Sequence, residues 1–206
     1  DGRTGFTIEP ADAAPHGTSI TLSLKDDAQE YLEKSTLQRV VKTYSDHIPF
    51  PIEFIDPAKS EEEPDRLNEA SALWTRPKSE IEDQQYTEFY RHVSHGFDEP
   101  WMTLHFKAEG VIEYAGLIFI PTERPFDLFH PDRMSKLKLY VKRVFISEEC
   151  DDLLPSWLRF LRGVIDSEDL PLNISREMLQ HNPVVTRIRK ALVKRVLNEL
   201  AKKAAK

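Results

Sequence analysis

Glycine and cysteine are scarce in this chain. Its 206 residues include 7 glycines and one cysteine, Cys150. A lone thiol excludes an intramolecular disulfide and any metal site built from several cysteines. The glycines are too few and too scattered for a Walker-type phosphate loop or a dinucleotide fingerprint. No His-Glu-x-x-His zinc motif is present. No apolar run approaches the roughly 20 residues that a bilayer-spanning helix needs, so no membrane partner is expected. Asp1-Gly2-Arg3 has neither an initiating Met nor a basic-then-apolar leader, so no signal peptide is expected and the chain reads as a piece of something larger. Basic charge is also short. Lys and Arg number 28 against 35 Asp and Glu, a net charge of −7. That balance counts against a general nucleic-acid binder, although a local basic patch is compatible with it. Proline, at 14 residues, is the residue in excess, and it predicts stiffly defined turns.

The first segment reads as two strands and two helices. Phe6 to Ile8 is a short strand, and Ile20, Leu22 and Leu24 alternate with polar residues, the period of a half-buried strand. Asp26 with Gln29, and Ser35 with Gln38, have the spacing of helix capping boxes. Leu37, Val40, Val41 and Tyr44 mark one helical face, and Ile52 to Ile55 reads as an edge strand. Residues 56–70 then carry Asp56, Glu61, Glu62, Glu63, Asp65 and Glu69 against only Lys59 and Arg66. Little apolar surface is available there to bury, so a solvated acidic linker and a domain boundary are expected.

The remainder reads as an α/β unit. Asp83 caps a helix bearing Tyr86, Phe89, Tyr90 and Val93 and ending near Gly96. Thr103 to Lys107 alternates. Val111 to Ile120 is almost wholly apolar, as in a central strand covered on both faces. Leu137 to Ile146 reads as one strand with a bulge near Arg143. Pro155 starts a helix that Gly163 ends, and Val164-Ile165 is a short strand. A helix comes after Pro171 and Asn173. Pro183 interrupts it, and a longer helix then places Val185, Ile188, Leu192, Val196 and Leu200 on one stripe.

Chemistry-bearing residues are few. His92 and His95 share a helix but have no third metal ligand at a convincing spacing, so no metal is expected. Cys150 lies among Glu148, Glu149, Asp151 and Asp152, and carboxylates raise a thiol pKa, the wrong direction for a nucleophile. Asp166, Glu168 and Asp169 come after a strand; they fit paired acid–base groups, a cation site, or structural pairing with Arg159 or Arg162. In the stretch from Asp166 to Gln180, a loop stiffened by Pro171 leads to Asn173, Arg176 and Gln180 at spacings of three and four. That spacing predicts one helical side for all three. An Arg at a helix start opposes the helix dipole, so Arg176 either awaits an anion such as a phosphate or pairs with Glu177, Glu168 or Asp169. The last helix is basic, with Arg187, Arg189, Lys190, Lys194, Arg195, Lys202 and Lys203. It lacks interleaved exposed aromatics, so a solvated or intramolecular face is expected rather than a nucleic-acid contact.

Arg162-Gly163-Val164-Ile165-Asp166-Ser167-Glu168-Asp169-Leu170-Pro171-Leu172-Asn173-Ile174-Ser175-Arg176-Glu177-Met178-Leu179-Gln180 resembles the signature of the heat-shock protein 90 chaperone family. Leu139 to Ile146, Pro125 to Phe129, Leu73-Trp74-Thr75-Arg76 and Tyr44-Ser45-Asp46-His47-Ile48 match it in the same order, and the form looks bacterial. The resemblance implies that residues 1–55 are the C-terminal edge of the ATPase domain, 56–70 the linker, and 71–206 the large α/β part of the middle domain with its outgoing helix. It implies a layered α/β/α sandwich with a mixed sheet, similar to ribosomal protein S5 domain 2, followed by a long C-terminal helix.

By the same resemblance, Arg176 matches the arginine that reaches the ATP γ-phosphate in the closed chaperone, as an arginine finger does. Asn173 and Gln180 match residues that support that loop. Trp74 and the segment Phe129 to Met134 match regions implicated in client or interdomain contact, with Trp74 equally readable as a half-buried anchor. The cofactor implied is ATP with magnesium in the intact protein, none being expected on this chain alone. The partners implied are client proteins, the upstream ATPase domain and co-chaperones, in a homodimeric cytoplasmic parent. The resemblance implies no hydrolysis by this chain alone. A non-catalytic client or co-chaperone binding module is the alternative.

Overall fold

The computed structural model describes residues 5–10, 16–56, 63–125, 128–130, 135–148, 150, 152–172 and 182–205. Three α-helices are present among them: α1 (Lys34–Tyr44), α2 (Asp83–Ser94) and α3 (Pro183–Ala204). Strands β1 (Glu53–Phe54) and β2 (Asp65–Arg66) form a small antiparallel pair. The main sheet has five strands: β3 (Pro100–Ala108), β4 (Tyr114–Pro121), β5 (Lys136–Val141), β6 (Val144–Ser147) and β7 (Arg162–Ser167). Their order is β3-β4-β7-β5-β6. β5 and β7 run parallel and the other neighbours antiparallel, so the sheet is mixed and the fold is α/β.

Strand alternation sorts the core into two parts. Ile118 and Ile120 of β4, with Leu104, Leu139 and Ile165, share one cluster with Val185, Ile188, Leu192 and Val196 of α3. Leu117 and Phe119 of β4, with Tyr140 and Val164, share the other with Tyr90 and Val93 of α2 and with Trp74. β4 is buried along its length except at Pro121, as expected of a strand covered on both faces. Each fully buried Leu, Ile or Val there stabilises by about 1.5–3 kcal/mol. Two glycines make the close approaches possible. At Gly163, with φ +126°, an added Cβ would lie 2.1 Å from the Leu117 carbonyl oxygen; at Gly116 it would meet the Phe106 ring at 2.5 Å.

Several expectations are corrected. Phe6 and Ile8 are not in a strand and are 87% and 84% exposed, and Ile20 and Leu22 are also exposed. A strand needs a neighbour to bond its N–H and C=O groups, and no described strand lies beside these residues. Asp26 does not cap a helix: it opens a 3-10 helix, Asp26–Leu32, with Lys25 as its cap residue. Ser35 lies inside α1, which starts at Lys34. α2 does have a capping box, built one residue earlier than expected, from Glu82 and Gln85. The long strand from Leu137 to Ile146 is a hairpin instead. Lys142 and Arg143 turn the chain with φ of 50° and 65°, the two-residue positive-φ turn that suits strand twist. Pro155 precedes only a 3-10 turn, Ser156–Leu158, and Gly163 lies within β7. Pro183 begins α3, the longer helix expected after it, while the shorter helix expected after Asn173 falls on residues 173–181, outside the described residues. Pro183 sits in the first turn, and Asn182 Oδ1 accepts the Val184 amide as the cap, the place where a missing N–H costs nothing.

Residues 63–70, read as part of a solvated linker, are built into the fold. Leu67 and Asn68 are 5% and 4% exposed. The Asn68 side chain accepts the Ile52 amide and donates to the Phe50 and Ser45 carbonyls. The Leu67 amide donates to the Ile52 carbonyl, and the Ala70 amide to that of Asp46. Backbone groups leaving water need such partners, and one asparagine supplies three of them.

Candidate functional site

Asn173, Arg176 and Gln180 lie outside the described residues, as does Met134. What the structure places is the seat from which residues 173–180 depart. β7 ends at Ser167, and the chain beyond it is pinned. The Glu168 amide donates to the Glu113 carbonyl at 3.0 Å. The Glu113 amide donates back to Asp169 Oδ2 at 2.7 Å. The Lys142 amide donates to the Ser167 carbonyl, and Leu170 is buried.

Asp166 sits one residue before the end of β7 and is 3% exposed. Its Oδ2 accepts the Trp74 indole N–H at 2.8 Å, and its Oδ1 accepts the Arg143 amide at 3.2 Å. A buried carboxylate is tolerated only when its oxygens are bonded in this way. Of the readings open for Asp166, Glu168 and Asp169, the structural one therefore holds for Asp166 and Asp169. The partners are an indole and backbone amides. Arg162, by contrast, points its guanidinium at the carbonyls of Arg159, Phe160 and Leu161.

Trp74 is 1% exposed. The ring is closed off, where the anchor reading had it half-buried. Its ring is packed edge-on by His47 at 4.7 Å and tilted against Tyr140 at 4.9 Å and Phe89 at 5.8 Å. Its carbonyl takes the Nε2–H of His105 at 3.0 Å, and the Tyr86 hydroxyl donates to the other ring nitrogen, Nδ1, at 2.7 Å. A carbonyl only accepts, so Nε2 of His105 carries a proton, and in the neutral ring Nδ1 accepts from Tyr86. Burial lowers the His105 pKa, more than the Trp74 carbonyl raises it. The same logic makes Nδ1 of His47 the donor to the Ser71 carbonyl at 2.8 Å. Burial raises the Tyr140 hydroxyl pKa, with Asp46, Glu148 and Asp166 adding to it.

His47, Asn68 and His105 were not singled out by sequence reasoning. His47 falls within a quoted motif, but nothing in its spacing announces a ring stacked on Trp74. His92 is on α2 with its pKa lowered by burial and by Lys138, while His95 lies past the last helical turn at φ 56°, so the two do not share a helical face. Among the described residues no group of three or more His, Cys, Asp and Glu side chains could hold a metal ion.

The surface carries two further features. Phe129 is 76% exposed, beneath the Arg124 guanidinium at 5.8 Å. An apolar groove of 640 Å³ runs between Trp157 and the Val193 and Leu197 side of α3, with Lys190 and Lys194 among its lining residues. Two basic residues of α3 make intramolecular contacts of the expected kind: Arg195 lies over Phe106 at 4.4 Å, and Lys203 over Trp101 at 4.1 Å. Among the described residues no helix is long and apolar enough to cross a membrane.

Residues 56–206 match the family model described as Hsp90 protein. A chaperone protein HtpG from Paramagnetospirillum magneticum is 59% identical over 204 residues, covering 99% of this chain and 32% of that protein. The HtpG proteins of Rhodospirillum rubrum and Rickettsia rickettsii are 54% and 56% identical over 204 residues, covering 99% and 98% of this chain. In each case the chain spans 32% of the relative's length. With the signature stretch leaving a clamped strand end, and with these matches, the chain belongs to the heat-shock protein 90 family, in its bacterial HtpG form.

Proposed function

We propose that this chain is the segment of an ATP-driven chaperone that carries the γ-phosphate contact. The observation that supports this most is the family match over residues 56–206, which includes the stretch from Arg162 to Gln180. On this reading Arg176 extends from the seat at Ser167–Leu172 and places its guanidinium beside the transferring phosphoryl group. A fixed positive charge there stabilises the charge that develops in the transition state. Asn173 and Gln180 support the loop. Magnesium-bound ATP is held by the upstream domain, so chemistry waits on a docking step. Residues 1–55 form the edge of that domain, and residues 71–206 are an α/β/α layer of the S5 domain 2 type. The two-sided core supports this layering, with α2 and α3 in separate clusters.

The parent is on this reading a cytoplasmic homodimer that binds unfolded client proteins and co-chaperones. Phe129 and Met134 contribute to the client surface. The exposure of Phe129 supports its share of that role, while the burial of Trp74 favours the anchor reading for that residue. The alternative, a binding module with no catalytic part, draws on the same exposed apolar side chains.

ATP turnover by the full-length protein separates the two. Arg176→Ala is expected to lower kcat by roughly 100-fold, with the variant still folded. Full activity in that variant would leave only the binding module. The 206-residue chain alone is expected to hydrolyse no ATP, and adding the separate ATPase fragment is expected to restore measurable turnover.

A further inference from the structure

We infer that the groove between Trp157 and α3 binds a long-chain carboxylate, a fatty acid anion, with its head among Arg189, Lys190 and Lys194 and its tail along Val193 and Leu197. α3 carries two apolar stripes. Val185, Ile188, Leu192 and Val196 face the core and are buried. Val193 and Leu197 each follow a member of that stripe by one residue, so they sit about 100° around the helix from it. Leu197 is 46% exposed, and Val193 is only partly buried. Across the groove stands Trp157. It belongs to the 3-10 turn Ser156–Leu158, closed by the Leu158 amide on the Pro155 carbonyl at 2.9 Å. Leu158 is buried in the core, which leaves the preceding indole outside at 55% exposure. The result is an apolar trough of 640 Å³ with Pro155 and Trp157 on one side and α3 on the other. That volume is in the range of small-molecule sites, roughly 300–1,000 Å³.

The charges around the trough select the ligand. Arg189, Lys190 and Lys194 line it, and no carboxylate does. In a chain of net charge −7 this is a local reversal of sign. Other basic residues of α3 are already engaged: Arg195 and Lys203 lie over Phe106 and Trp101, and Lys202 pairs with Glu199. Arg189, Lys190 and Lys194 take part in no ion pair among the described residues. Helical geometry separates head from tail. Arg189 and Lys190 fall on opposite flanks of the line through Val193 and Leu197, and about 11 Å before Leu197 along the axis. A carboxylate between them receives charge-assisted hydrogen bonds, and an apolar tail laid toward Leu197 is covered by the Trp157 ring.

Other occupants match this pattern less well. A second copy docking by the same face would set Lys190 and Lys194 against their own counterparts. An acidic helix would need cations along the whole groove, whereas here they stop at Lys194 and the last turn offers Leu197 and Asn198. A trough between two elements admits one chain rather than a sheet of lipid.

Calorimetric titration with dodecanoate, kept below its micelle concentration, tests this on the 206-residue chain and on the full-length protein. The expected result is one site on the chain with a Kd of roughly 0.1–1 mM, retained in the full-length protein. Dodecanol, with the same tail and no charge, is expected to bind about tenfold more weakly. Lys190→Gln together with Lys194→Gln is expected to weaken dodecanoate by about tenfold and leave dodecanol unchanged. Leu197→Ser is expected to weaken both ligands by about threefold. These three positions are exposed, so the variants are expected to melt with the parent chain. Equal affinity for the acid and the alcohol, or an equal loss of both in the double lysine variant, would overturn the inference. Binding by the chain that the full-length protein lacks would do the same, since another part of the parent then fills the groove. Capture of phosphatidylglycerol vesicles or of an acidic amphipathic peptide, with no heat from dodecanoate, would also overturn it and assign the groove to a membrane surface or a protein segment.

Discussion

The Leu67 amide donates to the Ile52 carbonyl at 2.8 Å, so the two flanks of the acidic stretch meet. β1 and β2 continue the pairing outward, Glu53 facing Arg66 and Phe54 facing Asp65. The charged stretch is therefore an excursion from a closed base, and its length does not set the distance between the two flanking segments. Adding a few residues between positions 57 and 62 is expected to cost little, since loop-closure entropy grows only by about 0.6 kcal/mol per doubling of length. Asn68→Ala, which opens the base, is expected to destabilise by about 1–3 kcal/mol through the loss of three bonds from a buried side chain to the backbone. Urea unfolding of the two variants beside the parent chain checks this, and a larger loss in the insertion variant would contradict it.

Gly163 gives the sharpest test of the sheet. A Cβ there would meet the Leu117 carbonyl oxygen at 2.1 Å, and the backbone, at φ +126°, is one that other residues adopt only under strain. The atom in the way is backbone of the neighbouring strand β4, which is buried on both faces. Gly163→Ala is expected to lose more than about 3 kcal/mol or to fail to fold, as read by thermal melting with circular dichroism.

Acid is expected to weaken the fold through His105. Its pKa is lowered from the usual 6.5, so the unfolded chain binds the proton more readily than the folded one. Stability from this group is complete above pH 6.5 and is lost as pH falls below it toward the lowered value. Burial of the ring is the main cause, and the positive Lys78 acts in the same direction. Burial lowers His92 in the same direction. Melting temperatures measured across this range are expected to fall less steeply for His105→Gln than for the parent chain; parallel curves would assign the acid sensitivity elsewhere.

Phe129 is expected to separate binding from folding. At 76% exposure it contributes little to the core, so Phe129→Ser is expected to leave stability within about 0.5 kcal/mol. If it forms part of the client surface, the same change weakens capture of an unfolded model protein by the full-length chaperone. Unaltered capture would remove it from that surface.

The elements most legible in the sequence are those with long, clean periods. α2 and α3 are read from Tyr86, Phe89, Tyr90 and Val93, and from Val185, Ile188, Leu192 and Val196, and β4 from its unbroken apolar run. Where reading failed, a local signal was overridden by its surroundings. Ile20 and Leu22 alternate as a strand does, but alternation states only which faces differ and cannot supply a neighbour. The β5–β6 turn has no Asn-Gly or Asp-Gly to mark it. Lys142 and Arg143 carry it because Asp166, distant in sequence, holds the Arg143 amide. The same limit hid the seat of the arginine segment. Its residues were visible as acids after a strand, yet their partners Trp74 and Glu113 are remote in the chain. The acidic stretch misled most, since charge count outweighed the pair Leu67 and Asn68 that turns its second half inward.

The burial of Trp74 has a spectroscopic consequence. Of the three tryptophans, Trp101 and Trp157 are 42% and 55% exposed, whereas Trp74 is closed off. A soluble collisional quencher reaches the first two and spares the third, so the emission that survives quenching comes from the indole bonded to Asp166. The chain thereby contains its own optical gauge of the contact between His47 and the base of the arginine segment, with no label added.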